Sequence, residues 1–120
     1  MIVVVDTTPL NYLLLIGAVD VLPALYKTVW IPPAVHQELQ RERTPLEVRD
    51  WAAKLPAWCE VRPVGPHIDS ELSELDAGER QAIQLALESG IETILLDQRE
   101  GRRVALRHRL RVTGTVAVLE

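Results

Sequence analysis

Short β-branched runs alternate with helix-forming segments along this chain, and that alternation restricts the fold more than any other feature. Ile2–Val5, Thr28–Ile31, Trp58–Arg62, Thr93–Leu96 and Arg111–Thr113 read as strands. They are short and largely apolar, as strands covered on both faces are. Between them the spacing turns helical. Thr8 can cap a helix with Pro9 at its first position, followed by Leu10, Leu13 and Leu14. Asp20 opens a short helix through Leu25, and Pro32-Pro33 launches another through Gln40. Arg41–Thr44 is a loop, and Pro45–Leu55 is helical with Val48, Trp51 and Ala52 inward. Asp76 caps the strongest helix, which carries Ala82, Ile83, Ala86 and Leu87 on one stripe and stops at Gly90. An arginine-rich helix spans Gln98–Leu110, and another element begins at Val116–Leu119. Strands alternating with helices predict an α/β fold, with about four to five parallel strands between helical layers.

Composition narrows the class. With 120 residues, 48% of them hydrophobic and 25% charged, residues 1–120 are expected to form one domain with its own core. Cys59 is the one cysteine, so neither an internal disulfide nor a cysteine-rich zinc site is available. No secretory signal is evident, and the expected location is the cytoplasm. The longest apolar run, Tyr12–Ile16, is far below the roughly 20 residues of a membrane span. A net charge of −4 argues against a uniformly basic nucleic-acid surface, although six of the eleven arginines fall between Arg99 and Arg111.

Acidic residues mark the strand ends. Asp6 and Asp97 each follow an apolar strand directly. In a parallel sheet the C-terminal strand ends share one edge, and ligands bind where the strand order reverses. If the first and fourth strands are neighbours there, the two carboxylates meet. Glu38, in the helix after the second strand, and Glu79, in the first turn of the long helix, can reach the same edge. Four converging carboxylates repel one another, and a divalent cation relieves the repulsion. An all-oxygen set suits Mg²⁺ or Mn²⁺. A plainer account stands beside this one. Asp76-Ala-Gly-Glu79 and Asp97-Gln-Arg-Glu100 are both good capping boxes. Asp6 can serve the turn before Pro9, and Glu38 can be a solvated helix residue.

Taken together, Val3-Val-Val-Asp6-Thr-Thr-Pro-Leu-Asn-Tyr-Leu, Ile31-Pro-Pro-Ala-Val-His-Gln-Glu38-Leu, Leu75-Asp-Ala-Gly-Glu79-Arg-Gln-Ala-Ile and Leu95-Leu-Asp97-Gln-Arg-Glu-Gly-Arg-Arg resemble the motifs of PIN-domain proteins. The nearest branch is the VapC-like one of bacterial and archaeal toxin–antitoxin systems. Val112-Thr-Gly-Thr-Val extends the resemblance, which runs the length of the chain in order. It implies a three-layer α/β/α PIN-like fold and a Mg²⁺- or Mn²⁺-dependent endoribonuclease. Asp6, Glu38, Glu79 and Asp97 would be its catalytic and metal-binding acids, and cleavage would leave a 5′-phosphate. It also implies RNA as substrate and a small antitoxin protein as partner. The chain departs from the pattern at Gln98, where relatives often carry a second acid, and at Glu120, where relatives usually continue into further helices.

Arg99 and Arg102 lie nearest the acidic edge and are the expected phosphate contacts. The alternative for this helix is ion pairing with the acidic stretch Asp69–Glu79. Thr8 is a further substrate-side position, where it would orient Asp6 or a water. His36, His67 and His108 show no catalytic or zinc spacing. Trp30, Trp51 and Trp58 are expected to pack, and Cys59 to be buried. Thr115–Glu120 is under two helical turns, too short to hold alone. Apolar surface near Val112, Val116, Val118 and Leu119 is therefore expected to remain open and to drive self-association, unless the tail folds back onto its own sheet. The runner-up function is a non-catalytic PIN-fold partner-binding or regulatory protein. A phosphoacceptor receiver is disfavoured, because the third strand leads into Arg62-Pro63 and no lysine follows a late strand.

Overall fold

A computed structural model of the chain describes residues 1–66 and 70–120. His67 and Asp69 lie outside the described residues. Five parallel strands form one sheet: β1 (Ile2–Val5), β2 (Thr28–Ile31), β3 (Cys59–Val61), β4 (Thr93–Leu95) and β5 (Arg111–Thr113). Their order is β3-β2-β1-β4-β5. The order reverses between β1 and β4, which pair in the register Val3↔Thr93, Val4↔Ile94 and Val5↔Leu95. The strand ends that carry Asp6 and Asp97 are therefore neighbours at the switch point.

Alternation along the strands divides the core in two. Val3, Val5, Val29, Ile31 and Leu95 face one helical layer, with Leu10, Leu13, Leu22, Val35, Leu39, Val48 and Val118. Val4, Ile94 and Leu96 face the other, with Ala82, Ile83, Leu85, Ala86, Val104 and Ala105. The first layer comes from α1 (Thr7–Leu15), α2 (Val21–Leu25), α3 (Pro33–Leu39), α4 (Leu46–Ala53) and α7 (Thr115–Leu119). The second comes from α5 (Ala77–Ser89) and α6 (Arg99–Arg107). Central strands buried on both faces explain why β1 is valine-rich without polar alternation.

Several boundaries differ from expectation for identifiable reasons. The N-cap of α1 is Asp6, and Thr8 lies inside the helix. Proline is tolerated throughout a first turn, where its missing N–H would have no partner, so Pro9 does not mark the first position. Asp76 caps α5 as expected, accepting from the Glu79 amide at 2.8 Å, and Gly90 closes the helix in the left-handed region at φ 67°. Leu87 is exposed and Leu85 buried, so the apolar face of α5 is rotated from the expected stripe. Helix α6 is shorter than expected. Arg109 adopts φ 66°, which turns the chain and sends Leu110 into the core. The tail does fold: Val118 is buried against the α1–α2 layer, so it does not remain open as expected. Val116 and Leu119 do stay exposed. Among the described residues, no helix is long and apolar enough to cross a membrane.

Candidate active site at the sheet switch point

Asp6 leaves β1 with its amide donating to the Leu95 carbonyl at 3.1 Å, so the backbone that presents its carboxylate is tied to β4. It is only 2% exposed. Its Oδ1 is buried without a hydrogen-bond partner among the described residues. Burial pushes the Asp6 carboxyl up to about 7. A hydrogen bond from the Thr7 amide opposes this, and repulsion from Asp76, Glu79 and Glu38 adds to it. Glu79 has the same character. It is 3% exposed with Oε1 unpartnered, and burial first, then Asp76, Glu38 and Glu100, raise its carboxyl to about 7.

The surroundings show why these acids sit where they do. Gly101 of α6 packs beside Glu79 and Leu96, where a Cβ would stand 3.2 Å from Leu96 Cδ2. Gly78 of α5 leaves room for Glu38 of α3. A Cβ at 78 would lie 2.5 Å from Glu38 Oε1, closer than such contacts ever come. The Thr7 hydroxyl donates to that same Glu38 oxygen. Thus Asp6, Glu38 and Glu79 reach one region, and Asp76 stands among them while its Oδ1 caps α5. Asp6, Glu38 and Asp76 line an open cleft of about 390 Å³.

Asp97 does not join this group. It follows β4, but its Oδ1 accepts from the Thr115 amide at 2.8 Å and its Oδ2 from the Thr115 hydroxyl. It lines a separate hollow with Thr115, Tyr12, Val116 and Leu119, and Thr8 borders both spaces. The expected capping box from Asp97 to Glu100 does not form. Gln98 is the N-cap of α6, with no side-chain cap bond, and Asp97 caps α7 instead.

A PIN-domain family model matches residues 2–120. The chain belongs to the PIN-domain family. No curated protein matches its sequence. PIN domains are generally nucleases and typically use divalent metals. The donors of this PIN domain fit a hard cation by chemistry: all are carboxylate oxygens, two are buried and unpartnered, and burial, with repulsion from neighbouring acids added, raises the Asp6 and Glu79 carboxyls. Among the described residues, no three Asp, Glu, His or Cys side chains are arranged so that they could hold a metal ion. The chemistry of the donors, and not a closed coordination shell, points to the cation.

The arginines of α6 divide. Arg102 Nη1 donates to the Leu96 carbonyl at 2.8 Å and stands against Gly114. It therefore lies at the acidic edge, with one guanidinium nitrogen engaged by the main chain. Arg99 is exposed at the start of the helix. Arg107 pairs with Glu71 at 2.9 Å, as the ion-pairing alternative anticipates, whereas Arg103 pairs within its own helix with Glu100. His36 Nε2 lies 2.9 Å from the Ala52 carbonyl, and His108 stands near Glu71. Trp51 packs on Trp58 at 5.9 Å, and Arg62 stacks over Trp30. Cys59 is buried, which pushes its thiol up to about 12. Thr7, Asp76 and Thr115 did not stand out in the sequence as site residues. The signal for Thr115 is its place in Val112-Thr-Gly-Thr-Val, two residues past the last strand, where it also reads as a helix start.

Proposed function

We propose that this PIN domain is a divalent-metal-dependent endoribonuclease, the VapC-like toxin of a toxin–antitoxin pair. One observation carries the reading most directly. Two deeply buried carboxylates, Asp6 and Glu79, have unpartnered oxygens beside further acids at the C-terminal edge of a parallel sheet. Burying such charge without compensation is costly, and a bound cation compensates it. Asp6, Glu38 and Glu79 would draw together to hold Mg²⁺ or Mn²⁺, while Asp97, just past the end of the neighbouring strand, stays engaged by Thr115. When bound, the ion would supply a Lewis acid for charge developing on a phosphodiester.

The chain's own groups have separate tasks. The Thr7 hydroxyl fixes the rotamer of Glu38. The Asp6 backbone, bonded to Leu95, sets the depth of the central carboxylate. Thr8 borders the opening at which a strand of RNA would enter. A small antitoxin would block the same cleft, and self-association would cover exposed Tyr12, Val116 and Leu119.

A second reading is a non-catalytic PIN fold that binds partners. Its support is Asp97, whose two oxygens are both engaged by Thr115. One experiment separates the two. The purified chain is incubated with a mixed RNA panel in Mg²⁺, Mn²⁺ or EDTA, beside Asp6→Asn. Cleavage that needs the metal and is lost in the variant supports the nuclease. Intact RNA in every lane overturns it.

A further inference from the structure

The loop after α3 brings two arginines to the acidic cleft. Arg41 and Arg43 line it, opposite in charge to Asp6, Glu38 and Asp76, while Glu42 between them does not. Both are exposed, and neither has an ion-pair partner among the described residues. Their backbone is held in place. The Thr44 hydroxyl donates to the Glu38 carbonyl at 2.9 Å, and the Thr44 amide to the Arg41 carbonyl at 3.0 Å. The loop is thereby clamped to the last turn of the helix that carries Glu38.

Neither rim arginine pairs with an acid of the floor among the described residues. Elsewhere on the acidic edge, Arg102 is engaged by the Leu96 carbonyl and Arg103 by Glu100. Guanidinium groups left open above a carboxylate floor suit an anion that lies across the opening and meets the acids only at its reacting centre. Forked N–H donors match phosphate oxygens. Two residues separate the arginines by at most about 7 Å of chain, so both can reach one strand.

We propose that Arg41 and Arg43 form the phosphate-binding rim of this cleft and hold the backbone of a single RNA strand across the acids. This rests on the ribonuclease reading above. It adds the α3–α4 loop, which lines the cleft, to the contacts expected of Arg99 and Arg102.

The test is binding of a labelled, mixed-sequence single-stranded RNA to the full chain by anisotropy, across a salt series with EDTA present. Each phosphate contact adds about 0.7 to the salt slope, so the Arg41→Ala/Arg43→Ala double variant is expected to lower it by about 1.4. Arg103→Ala is expected to leave it unchanged. The Arg41→Lys/Arg43→Lys variant keeps the charge and most of the slope, which shows that the loss in the alanine variant is not misfolding. A wild-type slope in the alanine double variant, with metal-dependent cleavage intact, overturns the rim assignment alone. Poly-glutamate competing as well as RNA assigns the rim to an acidic protein segment and also overturns it. Wild-type protein that neither binds nor cuts RNA overturns the ribonuclease reading, and this inference with it.

Discussion

Asp6 and Asp97 leave the sheet from adjacent strands at the same edge, yet their carboxylates live in opposite circumstances. Asp6 is buried among like charges with an oxygen unpartnered. Asp97 is half-buried, with both oxygens taken by Thr115. One side of the edge is electrostatically unsatisfied. The other is satisfied, and its satisfaction holds down the last helix. Strand position therefore decides where an acid stands, and local donors decide what it is free to bind.

Cleavage kinetics can break this contrast most forcefully. Asp6→Asn is expected to cost more than the roughly 10–100-fold that loss of an outer-shell partner costs a metal site. Asp97→Asn is expected to cost less than Asp6→Asn. Equal losses, measured as kcat/KM on one RNA, would mean that both acids serve the cation alike and that the Thr115 contacts yield on binding.

Stability without metal is the next test. Asp6 and Glu79 have folded-state carboxyls raised to about 7 from ordinary values of 3.8 and 4.5. The native state therefore holds more protons than the unfolded chain between those values. Their contribution is complete below about pH 4 and is lost as pH rises through about 7. At about pH 8, Asp6→Asn is expected to stabilise the metal-free chain by about 1–3 kcal/mol, and at about pH 4 to give little gain. Urea titrations at both pH values check this. Mg²⁺ would compress the difference, because an ion that binds only the folded state stabilises it.

Gly78 offers a finer separation of fold from site. An added methyl would meet Glu38 Oε1 at 2.5 Å, and that oxygen is the far end of a flexible side chain. Alanine also favours the helix by about 0.8–1 kcal/mol over glycine. Gly78→Ala is thus expected to leave the melting temperature unchanged or higher while weakening Mn²⁺ binding several-fold in calorimetry. A parallel loss of both would place Gly78 in the fold instead of the site.

How much of this was legible in the sequence follows from the range of each interaction. Helical layers on both faces follow from local patterning, since Val3, Val4 and Val5 must be covered on both faces, whereas the strand order does not. The alternation of elements and the switch-point rule place Asp6 and Asp97 at one edge, and their adjacency waits on the pairing of β1 with β4. Side-chain engagement did not follow. Asp97 is eighteen residues from Thr115, and Thr7 is thirty-one from Glu38. Such pairs exist only once the layers pack. The arginine-rich helix is legible only as a density of charge, and which of its arginines are engaged is not. Density in sequence marks Arg99–Arg111, whereas Arg41–Thr44 reads only as a loop, and its place on the acidic cleft depends on how α3 packs.

Thr115→Val tests the satisfied side, with the smallest expected effect. Helix α7 has five residues, too few to persist alone. It is held by Val118 in the core and by the two Thr115 contacts to Asp97. Valine keeps the amide contact and removes the hydroxyl, leaving Asp97 Oδ2 without that donor. A hydrogen bond to a charged acceptor contributes about 1.5–3 kcal/mol, and the surviving amide bond and open solvent around a half-buried site discount this towards about 1 kcal/mol. That corresponds to a fall of a few degrees in Tm. The local consequence is more diagnostic. The Val118 amide, which donates to the Gly114 carbonyl at 3.3 Å, is expected to lose hydrogen-exchange protection before the sheet does. Cleavage is expected to change less than in Asp6→Asn. If instead activity collapses while Val118 stays protected, the hydroxyl serves the reacting site and not the tail, and the two sides of the edge are one site.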